Sequence, residues 1–421
     1  MAVSAPSYRN IRVLLVFGIL AGISTYLVTP LEQPAQFRLA SDVYYYAVTS
    51  FLDGGDLYGV YPPDRSGYAF LYPPATVVLF LPHILLGSAA AAYVLQTILN
   101  IAAALGTAII IFRALVRRGA TVGRIDLVLL GAFMLFSTYS AIQFLNGQVN
   151  LWLAFALAIG FDAIDRNRDR VAGGAFAFAA LLKVFPAVLG LWLLRIRSWI
   201  GVAVALSTGI AGLLVGVLLF GPELTITYLE EVLLCRFEGE TYDGRPDPGQ
   251  NVDGIHRQLA AIWPGGPYHT IIGFVIIGTL LTAASLDVNT RINRDAAALA
   301  TIIAILLFLP LQPLYFPLIT FPLFMLLYAQ TSRIVRWLLI IGTVLTLVHL
   351  DPASIDLWIE WVGLPAGIAD PVTMSTAALF TFILPPTLGL WILLLACIVQ
   401  QFQSLDLSKK VAVSSEPVSA K

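Results

Sequence analysis

Carboxylates in a polar, aromatic stretch are the first candidates for chemistry in this sequence. The stretch from Ser41 to Pro74 reads SDVYYYAVTSFLDGGDLYGVYPPDRSGYAFLYPP and carries Asp42, Asp53 and Asp56. Apolar segments lie close on either side of it, so these carboxylates are expected near one face of a membrane. A carboxylate in that position suits proton transfer on the headgroup of a lipid.

Asp42 is the strongest of these candidates. The sequence predicts that it opens a short helix as the N-cap, where its carboxylate accepts free main-chain N–H groups and meets the positive end of the helix dipole. Both effects are expected to keep the carboxylate ionised. The alternative is that Asp42 only caps this helix and has no catalytic role.

Lys183 is a second candidate because it interrupts the apolar block from Val171 to Leu194. An ammonium group at membrane depth costs about 2.5 kcal/mol or more unless it meets water or an anion. A lipid phosphate is a suitable anion. The alternative is a snorkelling or carbonyl-capping lysine beside Pro186.

His256 and Arg257 lie in the longest polar stretch, residues 221–268. An arginine can hold a phosphate through two parallel hydrogen bonds. The alternative for Arg257 is an ordinary loop salt bridge with Asp253 or Glu240.

Four polar features are predicted to meet on the outer side of the membrane, although none is a sharp motif alone. They are the Asp42 loop, the Asn146-Gly147-Gln148 turn, the long loop with Gly249-Gln250-Asn251 and His256-Arg257, and the Gln312-Pro313-Leu314-Tyr315 turn. Aromatic residues near the span ends, Tyr44 among them, are interpreted as interfacial anchors.

Composition sets the class of protein. Hydrophobic residues make up 58% of the 421 residues and charged residues 12%, which is typical of a polytopic membrane protein. The net charge of -1 gives no basic patch for nucleic acid. The chain has no P-loop, HExxH or GxSxG motif and no clustered Cys or His residues, so no metal or cofactor is predicted. Nucleotide hydrolysis, zinc proteolysis and serine hydrolase chemistry therefore lack support.

The apolar pattern predicts an all-α protein with about ten full crossings and one half-depth hairpin at Lys183, about 12 helices in total. The predicted spans are 13–28, 89–112, 125–145, 149–161, 199–220, 270–285, 296–311, 316–328, 337–349 and 377–399, with a re-entrant or interfacial piece at 75–87. Most of the 24 Lys and Arg residues then lie in the cytoplasm, together with both termini.

The same pattern predicts one membrane domain, residues 1–403. Its outer loops are residues 30–88, which hold a short helix, and residues 221–268. Residues 404–421 are predicted to be a disordered cytoplasmic tail. The expected location is the cell membrane, with membrane lipids around many spans.

Four segments in this order resemble glycosyltransferase family 87, membrane mannosyltransferases of the C-type fold. They are SDVYYYAVTSFLDGGDLYG, YPP before an apolar helix, NGQVN, and LLKVFPAVLGLWLLRIRSW. The resemblance covers about residues 11–400. It implies a polyprenyl-phosphate-linked mannose as donor, no nucleotide sugar at the catalytic step, and Asp42 as the catalytic aspartate. It also implies that Gln148, Lys183 and the stretch from Asn251 to Arg257 line the substrate cavity.

One segment departs from the family pattern. Many members have a tryptophan or paired histidines in the outer turn that here reads LQPLYFP, and no histidine stands there. Tyr315 is expected to take over their hydrogen-bonding role.

The leading hypothesis is a hexosyltransferase that moves a mannose-like sugar from a polyprenyl phosphate to a lipid or glycan acceptor at the outer membrane face. A transporter or flippase of lipid-linked sugars is the rival, and it predicts paired broken helices in two related halves. A polymerase or ligase of lipid-linked glycans is the third possibility. It shares the donor chemistry and differs in the acceptor.

Overall fold

A computed structural model of the protein describes residues 8–63, 65–234, 242, 244–250, 252, 254–309, 313–348, 350 and 352–414, with side chains described up to residue 406. Regular structure in these residues is entirely helical, with no strand. The all-α prediction is confirmed for this part of the chain.

The chain divides into two compact units. The first comprises Met1–Thr241 and Leu314–Phe321, and the second comprises Tyr242–Pro313 and Pro322–Lys421. The first unit therefore receives a short segment from late in the chain, which carries Tyr315. The predicted boundaries at 403 and 404 stay a prediction.

The first unit contains the helices that surround Asp42 and Lys183. They are α1 (Arg9–Glu32), α2 (Leu39–Leu52), α3 (Val77–Ile84), α4 (Ala89–Arg117), α5 (Arg124–Phe136), α6 (Thr138–Asn146), α7 (Asn150–Asp165), α8 (Asp169–Leu182), α9 (Leu189–Arg195), α10 (Trp199–Phe220) and α11 (Pro222–Thr227). A π-helical segment, Tyr228–Leu234, continues α11.

The second unit is built from later helices. They are α12 (Ile255–Ile262), α13 (His269–Ala283), α14 (Arg291–Phe308), α15 (Thr320–Ala329, whose first two residues belong to the first unit), α16 (Arg333–Leu347), α17 (Pro352–Val362), α18 (Ala366–Phe382) and α19 (Pro385–Ser414). The helix α19 continues past residue 404, where the sequence predicts that the tail begins.

Several helices are long and apolar enough to cross a membrane. Within the described residues there are 4 of them, namely α1, α4, α10 and the part of α19 over Pro385–Asp406, or up to 6 if each bent helix pair is one span. These helices indicate a membrane protein. About twelve helices in a C-type arrangement stay a prediction.

Several elements lie where the sequence predicts them. The helix α10 has the predicted bounds, and α2 is the short helix predicted in the first loop. The piece predicted as re-entrant or interfacial is the short helix α3, which follows a 3-10 turn at Pro74–Thr76.

The predicted span 125–145 is not one straight helix. It breaks at Ser137 into α5 and α6, which are bent by 45°. A side chain at Gly22 of α1 would place its Cβ 1.9 Å from the carbonyl oxygen of Phe136. The main chain of α1 therefore lies directly against the break, and this close approach between helices is possible only with glycine.

One further prediction was wrong in detail. The predicted span 377–399 is divided, because α18 ends at Phe382 and α19 begins at Pro385, where two successive prolines favour a helix start over a helix interior. The polar stretch 221–268 contains α11, the π-helical segment and α12, and its outer location stays a prediction.

The predicted interruption at Lys183 is confirmed. The helix α8 ends at Leu182, Lys183 is extended (φ -144, ψ 129), and a 3-10 helix begins at Phe185. Pro186 has no N–H to donate to the carbonyl of Leu182, four residues earlier, and in a continuous helix its ring would clash with that carbonyl. The break therefore places Lys183 at a helix end instead of along a continuous helix.

Candidate active site

Asp42 lies in the first turn of α2 and is not its N-cap. The N-cap is Arg38, which is in the left-handed conformation (φ 62, ψ 7), and the Asp42 N–H donates to the Arg38 carbonyl at 2.8 Å. The predicted cap was wrong because a tertiary contact sets the start of the helix: the Arg38 N–H donates to the carbonyl of Leu145 at 2.7 Å. Asp42 still lies near the positive end of the helix dipole.

The Asp42 carboxylate is buried between two cations. Its residue is 5% exposed, and Oδ2 lies 3.7 Å from Arg38 Nη2 and 3.7 Å from Arg65 Nη1. Burial raises the pKa of Asp42, and the two guanidinium groups partly oppose that shift. The sequence instead predicted that helix capping keeps this carboxylate ionised, which would correspond to an unraised pKa. A raised pKa makes the carboxylate a stronger base once it is deprotonated.

The Asn146-Gly147-Gln148 turn packs directly against the residue before Asp42. Gly147 ends α6 in the left-handed conformation (φ 68, ψ 35), and a Cβ there would lie 2.7 Å from Ser41 Cβ. Both the backbone geometry and the close approach require glycine. The structure therefore brings together two of the features that the sequence singled out.

A polar cluster surrounds Lys183. Its Nζ lies 3.4 Å from Gln148 Oε1 and 3.4 Å from the Tyr315 hydroxyl, and 4.6 Å from the centroid of the Tyr315 ring. Gln148 Oε1 also accepts from the Tyr44 hydroxyl at 3.2 Å, and this hydroxyl is 2.7 Å from that of Tyr72. Lys183, Gln148 and Tyr315, three predicted substrate-binding residues, thus lie in contact.

Tyr44 was interpreted from the sequence as an interfacial anchor, and that interpretation was wrong. The residue is 2% exposed and stacks on Phe80, with 4.4 Å between the ring centroids. Burial raises the pKa of its phenol, so the hydroxyl stays protonated and able to donate at neutral pH. It is a member of the Lys183 cluster.

The main chain of Gln148 is held by two side chains that sequence reasoning missed. Asn100 Nδ2 donates to its carbonyl at 3.0 Å and Gln96 Nε2 at 3.4 Å, and both side chains are fully buried. His83 contacts Gln96 Oε1 at 3.0 Å. The sequence signal for them was a pair of amide side chains one turn apart in the apolar helix α4. Polar residues in such helices face partners in the bundle interior, so this pair could have been predicted to hold a neighbouring segment.

The segment that carries Tyr315 is anchored through the residue before it. The carbonyl of Leu314 accepts from Asn150 Nδ2 at 3.1 Å and also from Gln143 Nε2. These amides belong to α7 and α6, on either side of the Gln148 turn. Gln312, at the start of the predicted turn, lies outside the described residues.

Arg257 belongs to the second unit and is buried with 0% exposure. Nε donates to the Phe380 carbonyl at 2.8 Å, Nη1 to the Gln250 carbonyl at 2.7 Å, and Nη2 to the Asp247 carbonyl at 2.8 Å. Further bonds from the two Nη atoms reach Phe380 and Val252. A guanidinium has five N–H donors, and in this conformation main-chain carbonyls meet all of them. The geometry favours a clamp on the loop over a grip on phosphate.

The neighbouring predicted residues add little to a binding site. His256 is 7% exposed, its ring lies 5.5 Å from that of Phe308, and burial lowers its pKa, so the imidazole is neutral at neutral pH. Asn251 lies outside the described residues, as do Asp253 and Glu240. The described residues contain no group of three or more His, Cys, Asp or Glu that could hold a metal ion. Metal-free chemistry stays a prediction.

The clamp can be tested with Arg257→Gln. This change leaves several buried carbonyls without a donor, and hydrogen bonds to a charged group contribute about 1.5–3 kcal/mol each. We expect a melting temperature several degrees lower in detergent and an unchanged donor KM. Arg291→Gln, at an exposed arginine of the same unit, is the control and should leave both quantities unchanged. A raised donor KM at unchanged melting temperature would instead establish Arg257 as a substrate ligand.

The described residues form helices, several of them long and apolar enough to cross a membrane, and these helices indicate a membrane protein. The family model of glycosyltransferase family 87 matches residues 70–313, more than half of the 421 residues. The chain belongs to glycosyltransferase family 87. It matches no curated protein.

The matched segment contains Gln148, Lys183 and Arg257. Asp42 precedes it and Tyr315 follows it. The roles of those two residues therefore depend on the contacts of this structure and not on the extent of the family match.

Proposed function

We propose that this glycosyltransferase moves a hexose, with mannose as the leading candidate, from a polyprenyl-phosphate donor to a hydroxyl of a lipid or glycan acceptor at the outer membrane face. The observation that carries the proposal is the state of Asp42. Its carboxylate is buried, and Oδ1 has no hydrogen-bond partner among the described residues. An acceptor hydroxyl is the kind of donor that such an oxygen needs.

Asp42 acts as general base in this mechanism. Oδ1 accepts the proton of the acceptor hydroxyl while the acceptor oxygen forms its bond to the anomeric carbon of the sugar. The bond between that carbon and the phosphate oxygen breaks, and its electron pair leaves with the polyprenyl phosphate. Proton transfer of this kind contributes about 10²- to 10⁴-fold to the rate.

Lys183 stabilises the phosphate in the same mechanism. Its ammonium group faces Gln148 and Tyr315, and the Tyr315 ring lies at cation–π distance. Gln148 and Tyr315 carry no charge of their own and hold the ammonium group in place. A departing phosphate oxygen would be attracted to this cation.

The proposal includes a C-type arrangement of spans, a multi-pass location in the cell membrane and cytoplasmic termini. The long apolar helices support the membrane location. The Arg9 and Arg12 flank of α1 and the basic end of α4 at Arg117 support the orientation.

Transfer of label between lipids tests the proposal. Purified protein in detergent is incubated with polyprenyl-phosphate-mannose labelled in the sugar and with a panel of membrane lipids and glycolipids. We expect label to appear on an acceptor and polyprenyl phosphate to accumulate in equal amount. Label that stays wholly on the donor across a broad panel would contradict the proposal and favour transport of lipid-linked sugars.

A further inference from the structure

Four buried polar atoms around Asp42 lack a hydrogen-bond partner among the described residues. They are Asp42 Oδ1, Ser41 Oγ, Arg38 Nε and Arg65 Nη1. Ser41 is 1% exposed and Asp42 is 5% exposed. Buried polar groups are ordinarily paired, so a cluster of unpaired ones indicates a bound polar molecule.

The two arginines are oriented by contacts other than Asp42. Arg38 is fixed through its main chain by Leu145, as described above, and Arg65 Nη2 donates to the Phe37 carbonyl at 2.8 Å. Their distances of 3.7 Å to Asp42 Oδ2 are longer than a hydrogen bond. Two guanidinium groups thus lie beside one carboxylate oxygen without forming a bidentate hydrogen-bonded pair with it.

The charges of this cluster do not cancel. Arg38 and Arg65 carry two positive charges and Asp42 carries one negative charge, so these three side chains together have a net positive charge. The arginine side chains are 32% and 18% exposed, whereas that of Asp42 is 7% exposed. The two arginine side chains are therefore more exposed to solvent than the carboxylate between them.

We infer that Arg38 and Arg65 bind a phosphate ester of a substrate lipid beside Asp42. Phosphate oxygens accept from the unpaired guanidinium N–H groups, and planar guanidinium groups match phosphate geometry better than ammonium groups do. The inference depends on the proposed function, because it assigns a ligand to the site of the proposed base. The phosphate belongs either to the sugar donor or to a phospholipid acceptor.

Binding measurements separate the arginine pair from the reaction. Wild type, Arg38→Gln and Arg65→Gln are titrated with polyprenyl monophosphate and, separately, with a short-chain phosphatidylinositol. Polyprenol and diacylglycerol of the same chain lengths are the neutral controls. We expect each Gln variant to bind one phosphorylated lipid at least tenfold more weakly than wild type, with unchanged binding of its neutral counterpart. The lipid affected identifies the source of the phosphate.

Two conservative variants and one distant variant complete the test. Arg38→Lys and Arg65→Lys keep the charge and lose the planar fork, so they should bind about threefold more weakly and still fold if a Gln variant does not. Arg166→Gln changes an arginine of the same unit that pairs with Asp162 at 3.3 Å and should bind as wild type does. Unchanged affinity of both Gln variants for both phosphorylated lipids, or of both Lys variants where the Gln variants do not fold, would overturn the inference.

The same experiment distinguishes this inference from the proposed function. A wild-type protein that transfers no sugar but loses affinity for a phosphorylated lipid in the arginine variants would refute sugar transfer and retain the phosphate site. Normal transfer with unchanged affinities would refute the phosphate site and retain sugar transfer.

Discussion

Asp42→Asn is expected to lower the rate of sugar transfer by about 10²- to 10⁴-fold and to leave the protein folded. Asparagine has nearly the same shape as aspartate but cannot accept a proton from a hydroxyl at neutral pH. The fold is expected to tolerate the change because burial raises the pKa of Asp42, which means that the ionised carboxylate does not stabilise the native state. Radiolabel transfer and the melting temperature in detergent measure the two effects.

Asp53→Asn is the matched control for this prediction. Asp53 ends the same helix and is exposed, so its replacement removes a carboxylate from the same loop without touching the buried one. We expect it to transfer sugar at the wild-type rate. Full activity of Asp42→Asn would remove Asp42 from the mechanism.

The pH dependence of the wild-type rate adds a second readout for Asp42. The raised pKa means that the carboxylate takes up its proton at a higher pH than an ordinary aspartate does. Since the base must be deprotonated, the rate should fall as the pH drops through this raised pKa. The residual rate of Asp42→Asn should show no such fall over the same range.

Lys183→Met is expected to raise the donor concentration needed for half-maximal rate by at least tenfold, with the protein still folded. The ammonium group contacts Gln148 and Tyr315, which carry no charge of their own. A charge-assisted bond to phosphate is stronger than a neutral one. Lys183→Arg should retain part of the donor affinity because it keeps the positive charge. Initial rates over a range of donor concentrations measure the effect.

A snorkelling lysine predicts a different result for the same variant. Methionine would then be neutral or mildly stabilising, since it removes a charge from a costly position, and the half-saturation point would not move. An unchanged half-saturation point in Lys183→Met would end the phosphate role of Lys183. Arg38 and Arg65 would then be the next candidates, because the guanidinium group of Arg257 is already occupied by carbonyls.

Several features of this protein could be predicted from the local sequence alone. An apolar run of span length without a helix-breaking residue favours one continuous helix, since main-chain hydrogen bonds must be satisfied within the segment, and α10 accordingly has the predicted bounds. The break at Lys183 is local too, because Pro186 cannot bond to the helix carbonyl four residues earlier and its ring would clash with that carbonyl. The choice of Asp42, Gln148, Lys183 and Tyr315 needed only their unusual polarity and the resemblance to a family. Their catalytic and binding roles stay predictions.

The surroundings of these residues could be known only from the tertiary structure. Arg38 starts α2 because of a carbonyl in α6, and Gly22 meets the break between α5 and α6 across a helix interface. Residues that are far apart in the chain make these contacts, and no local pattern encodes which carbonyl a given N–H will meet.

The same reason explains the residues whose interpretation changed. The sequence indicated Arg257 as a phosphate ligand and did not indicate Arg38 or Arg65. The reason is that a sequence does not show whether the N–H groups of an arginine have partners. Composition determined that this chain is helical, apolar and suited to a membrane. Packing alone decided that main-chain carbonyls occupy the N–H groups of Arg257, and that Arg38 Nε and Arg65 Nη1 have no hydrogen-bond partner among the described residues beside the buried carboxylate.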